Sequence, residues 1–257
     1  MLSMKALRQK SFLDNFSSQT IIEVRPDEIN DISGVEYHTT REIRDNLKRV
    51  LPQAIYAGVV KIFLNNIENY IIPKDKFHYG RGIKDTKRYQ KIADFIENIN
   101  YLDKTTWFEI LMHALEKNGV AKHKKITMHS RQDILSFLMQ YRKIVESIDS
   151  KGFCERYTGF ESSGIIDADG NIIKNLHGNH RFCIAKVLKL EEFPLKIIGV
   201  HEDWVRKFRK ENTPLQEVIL DALDATREKY STGNSSNMAQ ANERTPPHDS
   251  IGDTRAS

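Results

Sequence analysis

The 257 residues are 39% hydrophobic and 29% charged, with a mean hydropathy of −0.52, which is the balance of an ordinary globular protein long enough to bury a real core. The formal charge of +4 arises from 39 Lys and Arg against 35 Asp and Glu, with the two signs interleaved, so no claim of nucleic-acid binding can rest on it. Residues 1–16 have neither the apolar core nor the cleavage site of a secretory signal, and no run approaches the ~18 apolar residues of a membrane helix. Cys154 and Cys183 make neither a disulfide framework nor a metal-ligand spacing, and a cytoplasmic location is expected.

In chain order, an N-terminal arm (residues 1–20) precedes IIEVRPDEI, Ile21 to Ile29, which predicts a short first strand stopped by Pro26, since proline cannot continue a ladder. The first-strand region runs over 21–38 and a helical insertion over 39–128. In that insertion Thr40 is the expected cap of one helix and Pro52 the start of another. QAIYAGVVKIFLNNI, from Gln53, is apolar on most faces, so it predicts a buried helix or an interface helix. Helices follow with apolar positions Tyr89, Ile92, Ala93 and Ile96, then Trp107, Ile110, Leu111 and Leu115, the second stopped by Asn118-Gly119. The run Lys122-His123-Lys124-Lys125 reads as a solvated linker because no aromatic residues interleave with it.

The segment 129–229 holds the rest of the core. Ser130 caps a helix whose buried stripe is expected at Ile134, Leu138, Tyr141, Ile144, Val145 and Ile148, ended by Gly152. GIIDADGNIIKNL then places two apolar pairs around Asp169-Gly170, a strong hairpin signal in which Asp169 serves the turn. A helix through Phe182, Ala185, Val187 and Leu188 and a strand FPLKIIGV complete the order of helix, hairpin, helix and strand. Residues 230–257, rich in Ser, Asn, Thr and Pro, predict a disordered tail.

Between hairpin and helix stands His177-Gly178-Asn179-His180-Arg181. The first turn of a helix presents unpaired amides and the positive end of its dipole, and a glycine there lets a ligand approach the backbone. Arg181 adds a bidentate donor for phosphate, and His180 a donor or proton shuttle. An ordinary turn with solvated neighbours is the alternative.

SIDSKGF followed by GIIDADGNIIKNLHGNHRFCIAKVLKLEEFPLKIIGVHEDW resembles the ParB/sulfiredoxin superfamily: a helix ending at Gly152, a hairpin, a Gly-x-His-Arg box, a helix and a proline-bearing strand. The resemblance implies an α/β (α+β) fold, a small mixed sheet flanked by helices. Sulfiredoxins carry a nucleophilic cysteine where this chain has Asn179, and Cys183 reads as a buried structural thiol. ParB partition proteins bind CTP and add a helix-turn-helix DNA module for which little chain remains after Trp204, so DNA is not an expected partner. The free-serine kinases are similar in their Asp-Gly-His-x-Arg box. More particularly, Gly82 to Thr86 with Tyr89, Gly152, the box, and His201 with Trp204 resemble, in order, ParB-like proteins of surface-polysaccharide gene clusters.

What the resemblance implies is a nucleoside di- or triphosphate, with Mg2+ carried by the nucleotide, bound by Gly178, Asn179, His180 and Arg181. His180, Asp85 and Glu28 are the candidates for catalysis, since phosphoryl transfer needs a group to take the acceptor proton. Arg81, His177, His201 and Trp204 are candidates for the substrate pocket, the last two because they follow the final strand at what is expected to be the same sheet edge as the box. The function expected is a nucleotide-dependent small-molecule or sugar kinase linked to polysaccharide synthesis. The alternatives are a non-enzymatic nucleotide-dependent switch or assembly factor that recruits polysaccharide-synthesis partners through the apolar helix from Gln53 to Ile67, with a homodimer or complex that changes with ligand, and a ParB-like DNA binder.

Overall fold

The computed structural model describes residues 7–152 and 162–232. It is a mixed α/β arrangement built on one sheet whose order is β1 (Ile21–Val24), β9 (Phe193–His201), β7 (Ser163–Ile166), β8 (Ile172–Lys174), β2 (Asp31–Ile32) and β4 (Arg81–Gly82), with β3 (Ile71–Ile72) also paired to β9. β9 is the central and longest strand: it runs antiparallel to β1 but parallel to β3 and β7, while β7 and β8 form the antiparallel hairpin. The hairpin turn is ordered by Asp167, whose Oδ1 accepts from the amides of Asp169 and Asn171, and by Gly170 at φ +78°, where any side chain would collide with Trp204.

Alternation along the strands gives the sheet two apolar faces. Ile166 and Ile172 enter the main core with Leu195 and Ile197, whereas Ile165 and Ile173 meet Ile72 and Phe77 on the other face. The main core is completed by α5 (Lys87–Glu97), α6 (Thr106–Asn118), α7 (Arg131–Lys151), α8 (Asn179–Val187) and α10 (Leu215–Thr232). Caps set three of these helices: Thr86, Thr105 and Ser130 each accept a first-turn amide. Gly119 ends α6 in the left-handed region.

Several expectations change. The arm ahead of the first strand carries α1 (Gln9–Asn15), whose Phe12 is buried against Tyr70 with ring centroids 4.2 Å apart. The first strand ends at Val24, and Pro26 to Glu28 form a 3-10 turn. Residues 39–128 are more than a helical insertion: they supply β3 and β4 to the sheet and pair β5 (Ala121–His123) with β6 (Ile126–Met128), the basic run read as a linker. Thr40 precedes α2 (Arg41–Val50) but caps nothing with its side chain, because its hydroxyl is bound to Glu68 at 2.5 Å. The apolar segment after Pro52 forms α3 (Gln53–Val59), a π-helical turn at Val60–Leu64 and α4 (Asn65–Ile67). Among its described side chains only Leu64 is buried, so of the two expectations, a buried helix or an interface helix, the buried one is wrong. α10 extends through Thr232, past the expected start of the tail, and residues 233–257 lie outside the described ones. Among the described residues no helix is long and apolar enough to cross a membrane.

Candidate functional site

α8 begins where the hairpin hands over to it, and three residues fix that junction. Gly178 is the N-cap at φ +70°, pressed so close to Ser162 that an added Cβ would lie 2.7 Å from its Cα. Lys174 is wholly buried, and its ammonium donates to the carbonyls of Ser163 (2.9 Å), Asn175 (2.7 Å) and His177, which ties the loop back onto β7. Burial pulls the Lys174 pKa down to about 7, yet three acceptors match the three N–H bonds of an ammonium. Asn175 adds a side-chain bond to the amide of Leu176.

Asn179, the first residue of α8, is 5% exposed, and among the described residues neither its Oδ1 nor its Nδ2 has a partner. An amide side chain buried without bonds is costly, and here it stands beside the amides of a helix first turn that have no intrahelical acceptor. The residues of the box line a cleft of about 400 Å³ together with Arg88, His123, Lys124, Tyr141 and Ile144. Arg88, His123 and His180 also line an adjoining lobe of about 740 Å³ bounded by Lys87, Lys91, Asp94, Thr106 and Ile110. Among the described residues, Asp94 is the sole carboxylate lining either lobe, and it is engaged by the amide of Thr106 at 2.7 Å. Ile110 and Ile144, both expected to be buried on their helices, are exposed and line these lobes.

Burial first, and neighbouring positive charge second, depress the basic groups of the cleft. His180 is pushed down to about 3, first by burial and then by Arg88, Lys124, Lys91 and His123. At neutral pH it is a neutral hydrogen-bonding group, which fits the donor role expected of it better than that of a proton shuttle. Lys91 and His123 are lowered in the same way, by burial first and neighbouring cations second. Arg181 is lowered by burial, and Tyr141 is raised by it. A depressed histidine disfavours its proton in the folded state, so the unfolded chain binds more protons between the ordinary value of 6.5 and about 3. Stability should therefore fall as pH drops through that window, with a limiting slope of about 1.4 kcal/mol per pH unit. Urea unfolding at pH 7, 5.5 and 4 should show a shallower acid decline for His180→Gln than for the wild type.

His177 sits at the rim with its Nε2 3.2 Å from Glu36 Oε1, and this bond, with one from Tyr37, holds the Glu36 carboxyl below its usual range. Arg44 stacks on the Tyr37 ring at 3.5 Å, bonds Thr40, and reaches Asn65 at 3.0 Å.

The other candidates are elsewhere. Asp85 is exposed before the cap of α5, its carboxylate folded over Gly82, and lines neither lobe. Glu28 lies in the turn at the far end of α8, where Lys186 holds the carbonyls of Pro26, Asp27 and Ile29, and burial raises its pKa. Arg81 is exposed on β4. His201 and Trp204 are at the opposite end of the sheet from the box. β8 runs antiparallel to β7, so the loop after β8 returns to the start of β7, whereas His201 ends β9 beside the end of β7. His201 is buried, accepts the Asp203 amide at 3.0 Å and meets Phe77 edge-on at 4.8 Å. Trp204 donates to Ala222 and Thr226 and packs under Gly170, an internal role. Cys183 is buried, its thiol pushed up to about 11, which fits the structural reading.

The sequence reading missed Arg88, Lys91, His123, Tyr141, Glu36 and Lys174. His123 comes from the supposed linker, and its aromatic company is supplied by other elements: Trp107 at 5.3 Å, Phe137 at 5.1 Å and His180 at 6.2 Å. No protein-family model, curated protein or solved structure matches the chain, so fold and site rest on the geometry itself.

Proposed function

We propose that the chain binds a nucleotide or another phosphorylated ligand at the first turn of α8, as a ParB/sulfiredoxin-like protein, and transfers a phosphoryl group to a small molecule or sugar destined for surface polysaccharide. The observation that carries the reading is Asn179, buried with both polar atoms unpartnered among the described residues at a helix N-terminus, inside a cleft lined by Arg88, Lys91, Lys124 and Arg181. Several cations with a single engaged carboxylate among them favour a ligand of multiple negative charge. Asp85 and Glu28, away from the cleft, are replaced as the proton-accepting group by His177, which lines it and is oriented by Glu36.

A ligand that binds only the folded state raises its stability, by about 2.7 kcal/mol at a hundredfold excess over Kd. Melting temperatures with ATP, ADP, CTP and nucleotide-sugars, each with Mg2+, should rise for at least one of them. That rise should be lost in Arg88→Ala and reduced in Asn179→Ala. Undiminished binding in both variants would remove the box from the site. Transfer of the terminal phosphoryl group should then fall at least tenfold in His177→Gln, with binding retained.

A second reading, binding without turnover, is favoured by the engagement of Asp94, which leaves no free carboxylate in the described lining to hold a metal or take a proton. Nucleotide binding with no phosphate release would select it.

A further inference from the structure

α2 and α3 form a helical arm whose interior bonds lie at one end. At its base Glu68 accepts the amides of His38, Thr39 and Thr40, and Arg44 spans Thr40 and Asn65. From there α2 runs about 15 Å outward at 1.5 Å per residue. The acids of α2 are both occupied near the base, Asp45 with Arg41 at 3.7 Å and Glu42 with Lys76 at 3.3 Å. Further along, Lys48 and Arg49 have no carboxylate partner among the described residues. From Asn46 to Ile67 the chain contains no acid at all.

Four large apolar side chains of the arm face outward. Val50 is 74% exposed, Ile62 61%, Phe63 60% and Ile55 54%. Ile55, Ile62 and Phe63 are spaced seven and eight apart, one stripe of a helix, with a π-helical turn beneath the last two. Isolated exposed apolar residues need no explanation, but four of them within fourteen residues, with Lys48 and Arg49 directly before the first, do.

We propose that this arm docks on the surface of a bilayer containing anionic lipid. The stripe would enter the boundary between headgroups and acyl chains, and Lys48 and Arg49 would meet the lipid phosphates. Such binding needs an apolar face and a basic flank and no spanning length. A second copy of this chain would have to match the segment 46–67, which carries cations and no acid, with another like it, so charge favours the lipid surface over self-association.

The test is co-sedimentation of the full-length protein with vesicles of phosphatidylglycerol and phosphatidylcholine, and with phosphatidylcholine alone. Binding should require the anionic lipid and should weaken at 0.5 M salt. Lys48→Glu with Arg49→Glu should lower the partition roughly tenfold or more, and Val50→Asp with Ile55→Asp should abolish it. All four positions are exposed, so these variants should melt with the wild type. The proposal is overturned by absence of binding to anionic vesicles, by equal binding to neutral ones, or by indifference to both double variants. It is equally overturned by a solution dimer that Val50→Asp with Ile55→Asp dissociates.

Discussion

Gly178→Ala is expected to remove ligand binding altogether and to cost about 2–4 kcal/mol of stability, from two effects that add. A non-glycine residue in the left-handed region costs on the order of 1 kcal/mol. The added methyl would also stand 2.7 Å from the Ser162 Cα, a main-chain atom that moves only with the start of β7. Forced overpacking of that kind costs typically about 1–3 kcal/mol. Gly119 supplies the control, since it has φ +68° but nothing within 4 Å of an added Cβ. Gly119→Ala should show the backbone cost alone in a urea titration, and equal losses at the two positions would mean that no wedge exists between Gly178 and Ser162.

Lys174→Met is expected to destabilise the fold by about 1–3 kcal/mol, the cost of leaving a buried carbonyl without its donor. Three carbonyls would lose the ammonium at once, Ser163 keeping the Asn175 amide at 2.9 Å and His177 the Ser163 amide at 3.5 Å, and two of the three, Asn175 and His177, are in the loop that enters the box. Loss of the exposed pair Arg142–Glu146, at 2.6 Å, should cost only about 0.3–0.5 kcal/mol. Lys174→Arg should rescue little, because a planar guanidinium cannot aim three donors at converging carbonyls. Unfolding curves rank the three variants, and hydrogen exchange at 175–177 should rise in Lys174→Met beyond what global stability explains. Unchanged exchange there would assign Lys174 to the core and not to the loop.

Local chemistry was legible in the sequence. Asp169-Gly170 gave the hairpin, Ser130 and Gly119 the limits of their helices, and Gly178 the junction, because each depends on neighbours in the chain. What depended on strand direction was not legible. His201 and Trp204 could be placed after the last strand, but only the antiparallel sense of β8 sets them at the other end from Gly178. Lys174 ends an apolar run and looks like a solvent-side residue until its three carbonyls are seen. His123 was discounted for lack of aromatic neighbours that Trp107 and Phe137 supply from two other helices. Ile55, Ile62 and Phe63 follow the pattern of a core helix, and nothing local says that the core is absent.

The separation of the two sheet ends also parts the protein's two indoles. Trp107 lies directly behind His123, at the wall of the cleft, while Trp204 is clamped by Ala222 and Thr226 beneath the hairpin turn. Occupancy of the cleft should therefore alter the emission of one fluorophore and leave the other as an internal standard. A Trp204→Phe protein would give a binding signal from a single probe without any label, and a Trp107→Phe protein would be optically silent to the same titration.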